Sequence, residues 1–347
     1  MGRTLSRESF EQIRDWVRTT LQTNRGAFEN RVKENRIVDG HGDVRCEGVC
    51  IVDGITIFDC IEFNDRFRCG DLAGEIASLA MDLDALGRPD LGYAAAEGYQ
   101  AYSGDRGLWR MLPFYHCYRA YVRGKVLSFR LDQPDIMPFE RDRAAARAEA
   151  FFDLALRYAS PLRQPTVILV SGRSGTGKTA LARAIAAELG FRVVSTDAVR
   201  AQLFGDLKRP AEFGQGVYTE DATARVYEAL VAKGKELLRE DHSVVLDGTF
   251  LTERYRALAG EMALGSGAHL RVIECRLGPE EARRRIEKRA HRDEGLSDAN
   301  WQTYLHQQVD PVPPDARYSW LTLDAEPPLP VCSRRASDWL RGRDGEA

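Results

Sequence analysis

The sequence lacks several things, and each absence narrows what the chain can be. No apolar run is long enough to span a bilayer, so no membrane-spanning helix is expected. The first twenty residues are polar and charged, so no signal peptide is expected. The seven cysteines, at 46, 50, 60, 69, 117, 275 and 332, form no Cys-x-x-Cys pair and stand mostly in or beside apolar segments. They read as reduced, core-filling thiols of a cytoplasmic protein. Net charge is also scarce: the formal value is -3 and the pI about 6.1, so bulk attraction to nucleic acid is absent, although a local groove could still provide it. There is no internal repeat and no low-complexity tract.

What is present is an ordinary globular composition, 44% hydrophobic and 29% charged, over 347 residues. That length is comfortable for two domains. The composition changes at about 158–166, where RYASPLRQPT sets two prolines between a helical pattern and an apolar strand. Domains over 1–160 and 165–347 are therefore expected.

The strongest motif opens the second domain. TVILV (166–170) is followed by GRSGTGKT (172–179) and then ALARAIAAELG. Strand, glycine-rich turn and helix in that order are the context in which G-x-x-x-x-G-K-T cradles phosphate. Glycines let the backbone curl closely around anionic oxygens, and the helix N-terminus favours negative charge. The phosphate-binding set is Gly172, Ser174, Gly175, Thr176, Gly177, Lys178, Thr179 and Ala180. Lys178 is expected to reach the β and γ phosphates of ATP, and Thr179 to give its hydroxyl oxygen to Mg²⁺.

Beyond the loop, apolar strands alternate with helical patterns: FRVVSTD ending at Asp197, SVVLDGTF at 243–250, HLRVIECRL at 269–277 and WLTLDA at 320–325, with helices near 178–189, 217–239, 252–263 and 279–292 and another beginning at 297. This predicts an α/β fold with a parallel sheet covered by helices on both faces. Acids at the carboxyl ends of strands sit where such sheets place their chemistry. Asp197 and Arg200 share one face of a helix start. Asp197 can take a proton from a substrate hydroxyl, with Arg200 on an anionic part of the substrate, or it can simply cap the helix. Asp247 closes an apolar strand and can hold Mg²⁺ with Thr179, or cap the next turn. Thr249 and Arg254 are further substrate-binding candidates. In RRRIEKRAHR (283–292), Arg285, Arg289 and Arg292 share a face. A lid carrying them would supply positive charge to a transferring phosphoryl group and exclude water; the alternative is a solvated face paired with Glu281 and Glu287. Asp298 reads as a helix cap.

The first domain reads as mostly helical. Amphipathic stretches are expected at SFEQIRDWVRTTLQ, 72–86, around 90–102, 107–123 and 143–156, with a β-hairpin turning at Asp53-Gly54. YHCYRAYVR (115–123) reads as a helix packed on one side and solvated on the other.

Taken together, GRSGTGKT, STDAVR, VVLDGTF and the arginine-rich segment resemble the small-molecule and polynucleotide kinase branch of P-loop proteins, often described as AAA family ATPases or kinases. Gluconate kinase, the zeta toxins and polynucleotide kinase belong to that branch. The resemblance covers about 165–325. It implies a general base at Asp197, a substrate-holding Arg200 and phosphate-directed arginines within 285–292. HGDVRCEGVCIVDGITIFDCIEFNDRF, in turn, resembles the C-terminal lobe of aminoglycoside phosphotransferases. There Asp43 would be the catalytic-loop acid and Asp59 the metal-binding acid, but Gly48 stands where the family carries a metal-binding Asn. Only 40 residues precede His41, too few for the ATP-gripping small lobe, so this domain is expected to be a non-catalytic scaffold, with Glu62, Asn64 and Asp71 in structural roles.

The expected function is transfer of the γ-phosphate of ATP to a hydroxyl of a small molecule: a sugar, a nucleoside-like metabolite or an antibiotic. A polynucleotide 5′-hydroxyl is the alternative acceptor, and an ATP-binding regulatory protein without an acceptor is the alternative class.

Overall fold

The computed structural model describes residues 3–160, 162, 165–205, 216–240, 242–290, 301–311 and 318–342, with residues 289 and 290 described by their backbone. The chain divides into two compact units: Met1–Pro161 with Ala187–Gly190, and Leu162–Ala186 with Phe191–Ala347.

The first unit is mostly helical. Helices α1 (Arg7–Thr23) and α2 (Arg25–Lys33) lead into strand β1 (Ile37–Asp39). Strands β2 (Val49–Ile51) and β3 (Ile55–Ile57) form the hairpin around Asp53-Gly54. Helix α3 (Asp65–Arg68) and strand β4 (Cys69–Asp71) follow, and β4 returns antiparallel to β1. Helices α4 (Leu72–Ala85), α5 (Pro89–Ser103), α6 (Leu108–Phe129) and α7 (Pro138–Tyr158) complete the unit. Pro89 and Pro138 sit at the first helical position, where no backbone N–H is needed. Helix α6 buries Phe114, His116, Cys117 and Ala120 while Tyr118 remains exposed, so this stretch is packed on one side.

A buried charge cluster ties the first unit together. The Arg31 guanidinium donates to Asp71 at 2.7 Å and to Asp105 at 2.8 Å, and all three side chains are almost wholly buried. Asp71 also accepts the Ala73 N–H at 2.9 Å, capping α4, and the Tyr115 hydroxyl at 3.2 Å. Asn64 caps α3 by accepting the Arg66 N–H at 3.0 Å, whereas Glu62 is exposed.

The sequence reading of the cysteines needs correction. Cys117, Cys275 and Cys332 are buried, but Cys50, Cys60 and Cys69 are exposed and Cys46 is intermediate; none is disulfide-bonded. Cys50 and Cys69 stand in three-residue strands and Cys60 in the connection between them, with little to pack against, and Ile51, Val52, Ile55 and Phe63 are exposed too.

The second unit is an α/β fold. Strands β5 (Thr166–Ser171), β6 (Arg192–Ser195), β7 (Val244–Asp247), β8 (His269–Arg276) and β9 (Ser319–Asp324) make one sheet in the order β6-β7-β5-β8-β9, every pairing parallel. Every residue of β5 and β7 is buried, which is why both read as unbroken apolar runs. The helices are α8 (Lys178–Leu189), α9 (Thr196–Phe204), α10 (Glu220–Arg239), α11 (Glu253–Gly265), α12 (Pro279–Ala290), α13 (Trp301–His306) and α14 (Leu329–Leu340). Among the described residues no helix is long and apolar enough to cross a membrane.

One boundary shifts with chemical meaning. Strand β6 stops at Ser195, whose hydroxyl accepts the Ala198 N–H at 3.1 Å and so caps α9. Asp197 therefore lies in the first turn of α9 rather than at the end of a strand, and the capping is done by Ser195.

Replacing Arg31 by Met should strand two carboxylates without a counter-charge and cost roughly 3–5 kcal/mol. Urea denaturation followed by far-UV circular dichroism reads this; a loss under 1 kcal/mol would show that the cluster is not a stability determinant.

Candidate active site

The central strand β5 ends at the glycine-rich turn, and the sheet order puts β7 on one side and β8 on the other. Gly172, Gly175 and Gly177 take φ of 134°, 79° and 88°, a region costly for any other residue. Gly172 also passes so close to the Cys275 carbonyl that a Cβ would lie 2.4 Å from it. The turn delivers the chain to the N-terminus of α8, which begins at Lys178.

A cleft of about 920 Å³ opens over this turn. Ser174, Gly175, Gly177, Lys178, Thr179 and Ala180 line it from the loop, Asp197 and Arg200 from α9, and Asp247, Thr249 and Arg254 from β7, the turn after it and the start of α11. Arg285 of α12 lines it as well. Gly172 and Thr176 do not. Thr176 is buried, donates its hydroxyl to the Arg173 carbonyl at 2.9 Å, and faces a smaller cavity of about 370 Å³ on the other side of the loop. The side chain of Arg289 and all of Arg292 and Asp298 lie outside the described residues.

Charge at the centre is tightly organised. Asp247 is 4% exposed, and the Thr179 hydroxyl donates to its Oδ2 at 2.8 Å. Burial pushes the Asp247 carboxyl up to about 6; Lys178 and the Thr179 hydrogen bond work against that shift, while Asp197 adds to it. Two hard oxygens side by side, one on a carboxylate that burial disfavours, suit a small divalent cation. Lys178 Nζ rests on the Arg173 carbonyl at 2.7 Å.

The opposite wall is built from arginine and tyrosine. Arg200 donates to Asp197 Oδ1 at 3.0 Å, and its guanidinium lies 4.7 Å from the centre of the Tyr218 ring. Tyr227 stacks on Tyr255 with centroids 3.9 Å apart, and its hydroxyl lies 3.0 Å from Thr249 Oγ1 while accepting the Phe250 N–H at 3.0 Å. Arg254 is more exposed and sits 3.7 Å from Glu220. Arg285 donates to Glu281 at 2.8 Å and to the Glu326 carbonyl at 3.2 Å, so a helix-face pairing does form, yet the same side chain still borders the cleft.

Sequence reasoning missed the three tyrosines and the stretch from α13 onward. Thr303, His306 and Gln307 line the cleft, and Gln307 bonds directly to Ser174. Nothing in HQQVD announces this, because it depends on the chain crossing back over the loop.

Comparisons with known proteins bear on this unit and, for two relatives, extend beyond it. Residues 167–311 match the family described as AAA domain. An uncharacterized protein of Mycobacterium tuberculosis, strain H37Rv, and one of Mycobacterium bovis are each 38% identical over 255 residues, 72% of this chain and 49% of theirs. The chain thus spans about half the length of the curated relatives it matches. Among solved structures, a sugar kinase from Janibacter sp. HTCC2649 is 21% identical, with a TM-score of 0.41 over 50% of this chain and 94% of its own. A gluconokinase from Sinorhizobium meliloti 1021 is 23% identical, with a TM-score of 0.38 over 52% of this chain and 93% of its own.

The raised Asp247 value has a consequence for stability. From about pH 4 to about pH 6 the folded chain keeps a proton that the unfolded chain, at 3.8, has released. This group's contribution to stability therefore falls as pH rises through that window and is level above it. Asp247→Asn should remove the effect and gain on the wild type by roughly 3 kcal/mol between about pH 4 and 7. Parallel urea titrations across that range measure it, and a constant difference between the two proteins would contradict it.

Proposed function

We propose that this chain is an ATP-dependent phosphotransferase that moves the γ-phosphate of ATP to a hydroxyl of a small molecule. The observation that carries the reading is that Asp197, paired to Arg200, lines the same cleft as Lys178, Thr179 and Asp247. A carboxylate facing a phosphate loop across a space of this size leaves room for an alcohol between them. The match of 167–311 to the AAA domain family supports nucleotide binding by this unit.

The roles follow from the chemistry of each group. The loop N–H groups and Lys178 hold the phosphates. Thr179 and Asp247 would hold Mg²⁺, which when bound supplies positive charge to the phosphate oxygens. Asp197 accepts the acceptor's hydroxyl proton as that oxygen bonds to the γ-phosphorus and the bond to the leaving ADP oxygen breaks. Arg200, steadied by the Tyr218 face, then holds an anionic or polar part of the acceptor, and Arg285 adds positive charge at the cleft edge. Thr249 and Arg254 shape the acceptor side.

The first unit is assigned no chemistry in this reading. Asp43 is paired to Arg45 at 2.8 Å, and His41 donates from Nε2 to the Phe58 carbonyl at 2.8 Å. A Cβ at Gly48 would meet the Phe58 carbonyl oxygen at 2.9 Å, so the hairpin's own backbone occupies the space that a metal-binding Asn side chain would need.

Incubation with γ-labelled ATP and a panel of sugars, nucleosides, aminoglycosides and 5′-hydroxyl oligonucleotides should give a labelled product. Lys178→Ala should abolish transfer. Asp197→Asn should lower it by ~100-fold or more while ATP still binds; undiminished transfer by that variant would remove Asp197 as the base. Asp43→Ala should leave transfer within about twofold, since this reading gives Asp43 no part in the reaction, and a large loss in a folded protein would return the first unit to the reaction.

A further inference from the structure

Gln307 stands in the cleft although no motif calls for it. Its amide makes two bonds to one residue of the phosphate loop: Oε1 accepts the Ser174 N–H at 2.8 Å, and Nε2 donates to Ser174 Oγ at 2.9 Å. The amide orientation is fixed by chemistry, since a backbone N–H can only donate and so must face the oxygen. One peptide unit, Arg173–Ser174, is thereby gripped from both ends. Its carbonyl accepts Lys178 Nζ at 2.7 Å and its N–H is taken by Gln307.

This position is built and not incidental. On one side Gln307 follows α13, whose Tyr304 packs with Ala282 and Ile286 of α12 and lies under the Arg173 guanidinium, 5.3 Å from the ring centre. On the other side the chain is stapled by Arg256, which is fully buried and donates to the carbonyls of Phe250, Leu251, Asp310 and Pro311 at 3.0–3.1 Å. Asp310 adds two bonds to the same loop: its N–H donates to the Leu251 carbonyl at 2.8 Å, and its Oδ2 accepts the Glu253 N–H at 2.9 Å. Residues 307–311 thus run as a strap from the segment after β7 to the phosphate loop.

The helix N-terminus at Lys178 faces the inner phosphates of a bound nucleotide. Ser174 lies toward the far end of the loop from that helix and next to Arg173, whose carbonyl holds Lys178 Nζ, so a terminal phosphate reached by Lys178 would come up beside it. Lys178 Nζ and the Gln307 amide oxygen thus both bond to the 173–174 peptide. One of the two Nε2 hydrogens goes to Ser174 Oγ, and among the described residues the other has no protein acceptor, which leaves it for an oxygen in the cleft. With its Oγ accepting from Gln307, the Ser174 hydroxyl has its own hydrogen to donate.

We propose that Gln307, acting with Ser174, reads the terminal phosphate of the nucleotide, so that the strap makes the cleft prefer a triphosphate to a diphosphate. This rests on the phosphotransferase reading above and adds to it a residue from outside the motifs.

Calorimetric titration of the full chain with Mg–AMPPNP and with Mg–ADP tests it. Gln307→Ala should lower affinity for AMPPNP about tenfold, the scale of one hydrogen bond to a charged group. ADP affinity should change less than about twofold, because ADP carries no terminal phosphate to meet the amide. Gln307→Glu keeps the length and an acceptor for the Ser174 N–H but sets a negative charge against phosphate, so it should lose more AMPPNP affinity than Gln307→Ala, again with little change for ADP. Thermal melts establish that each variant is folded, and the Glu variant carries the test if the Ala variant is not. Equal losses for both nucleotides would mean that Gln307 only shapes the loop and would overturn the inference, as would an unchanged AMPPNP affinity. A wild-type protein that bound neither nucleotide would overturn the phosphotransferase reading and this inference together; nucleotide binding indifferent to Gln307 sinks this inference alone.

Discussion

The buried carboxylate of Asp247 is the constraint around which the second unit is arranged. A charge under 5% exposed at the end of a central strand is tolerable only with compensation nearby. Thr179 supplies a hydrogen bond and Lys178 a positive field, and both come from the start of α8, which follows the adjacent strand and its turn. The parallel register of β5 and β7, which pairs Val170 with Asp247, is what brings the two chain segments together. Shifting either strand by one residue would turn Asp247 to the other face of the sheet and leave the loop without its partner.

How much of this was legible in the sequence differs by feature. The strands of the second unit were readable because each is a short apolar run, and β5 and β7 are buried on both faces. The glycine-rich turn was readable because its residue types are dictated by positive φ and close backbone approach, as at Gly172. The clustering of Asp197, Arg200, Thr249 and Asp247 along one cleft follows from a rule of parallel sheets, in which carboxyl ends share one edge. The end of β6 was misjudged by two residues because the valines run on into Ser-Thr-Asp, and only the cap geometry shows that Ser195 closes the strand.

The features that escaped are those that need a tertiary crossing. Tyr218, Tyr227 and Tyr255 come from three separate segments, and no single window displays their shared wall. Arg256 belongs to no motif, yet it is fully buried because four backbone carbonyls converge on it. In the first unit α2 was missed, since its polar sequence has little amphipathic signal, and with it the Arg31 cluster that joins α2 to the start of α4. The apolar hairpin promised buried thiols, but three-residue strands provide no layer to bury them.

The distribution of the thiols has a practical side. Cys50, Cys60 and Cys69 are open to solvent, while Cys275 is sealed and burial pushes its thiol up to about 12. No cysteine borders the cleft. A maleimide dye would therefore attach to the exposed thiols of the first unit and leave Cys275 untouched, which makes the unaltered chain a ready substrate for fluorescent or spin labelling at a few defined positions.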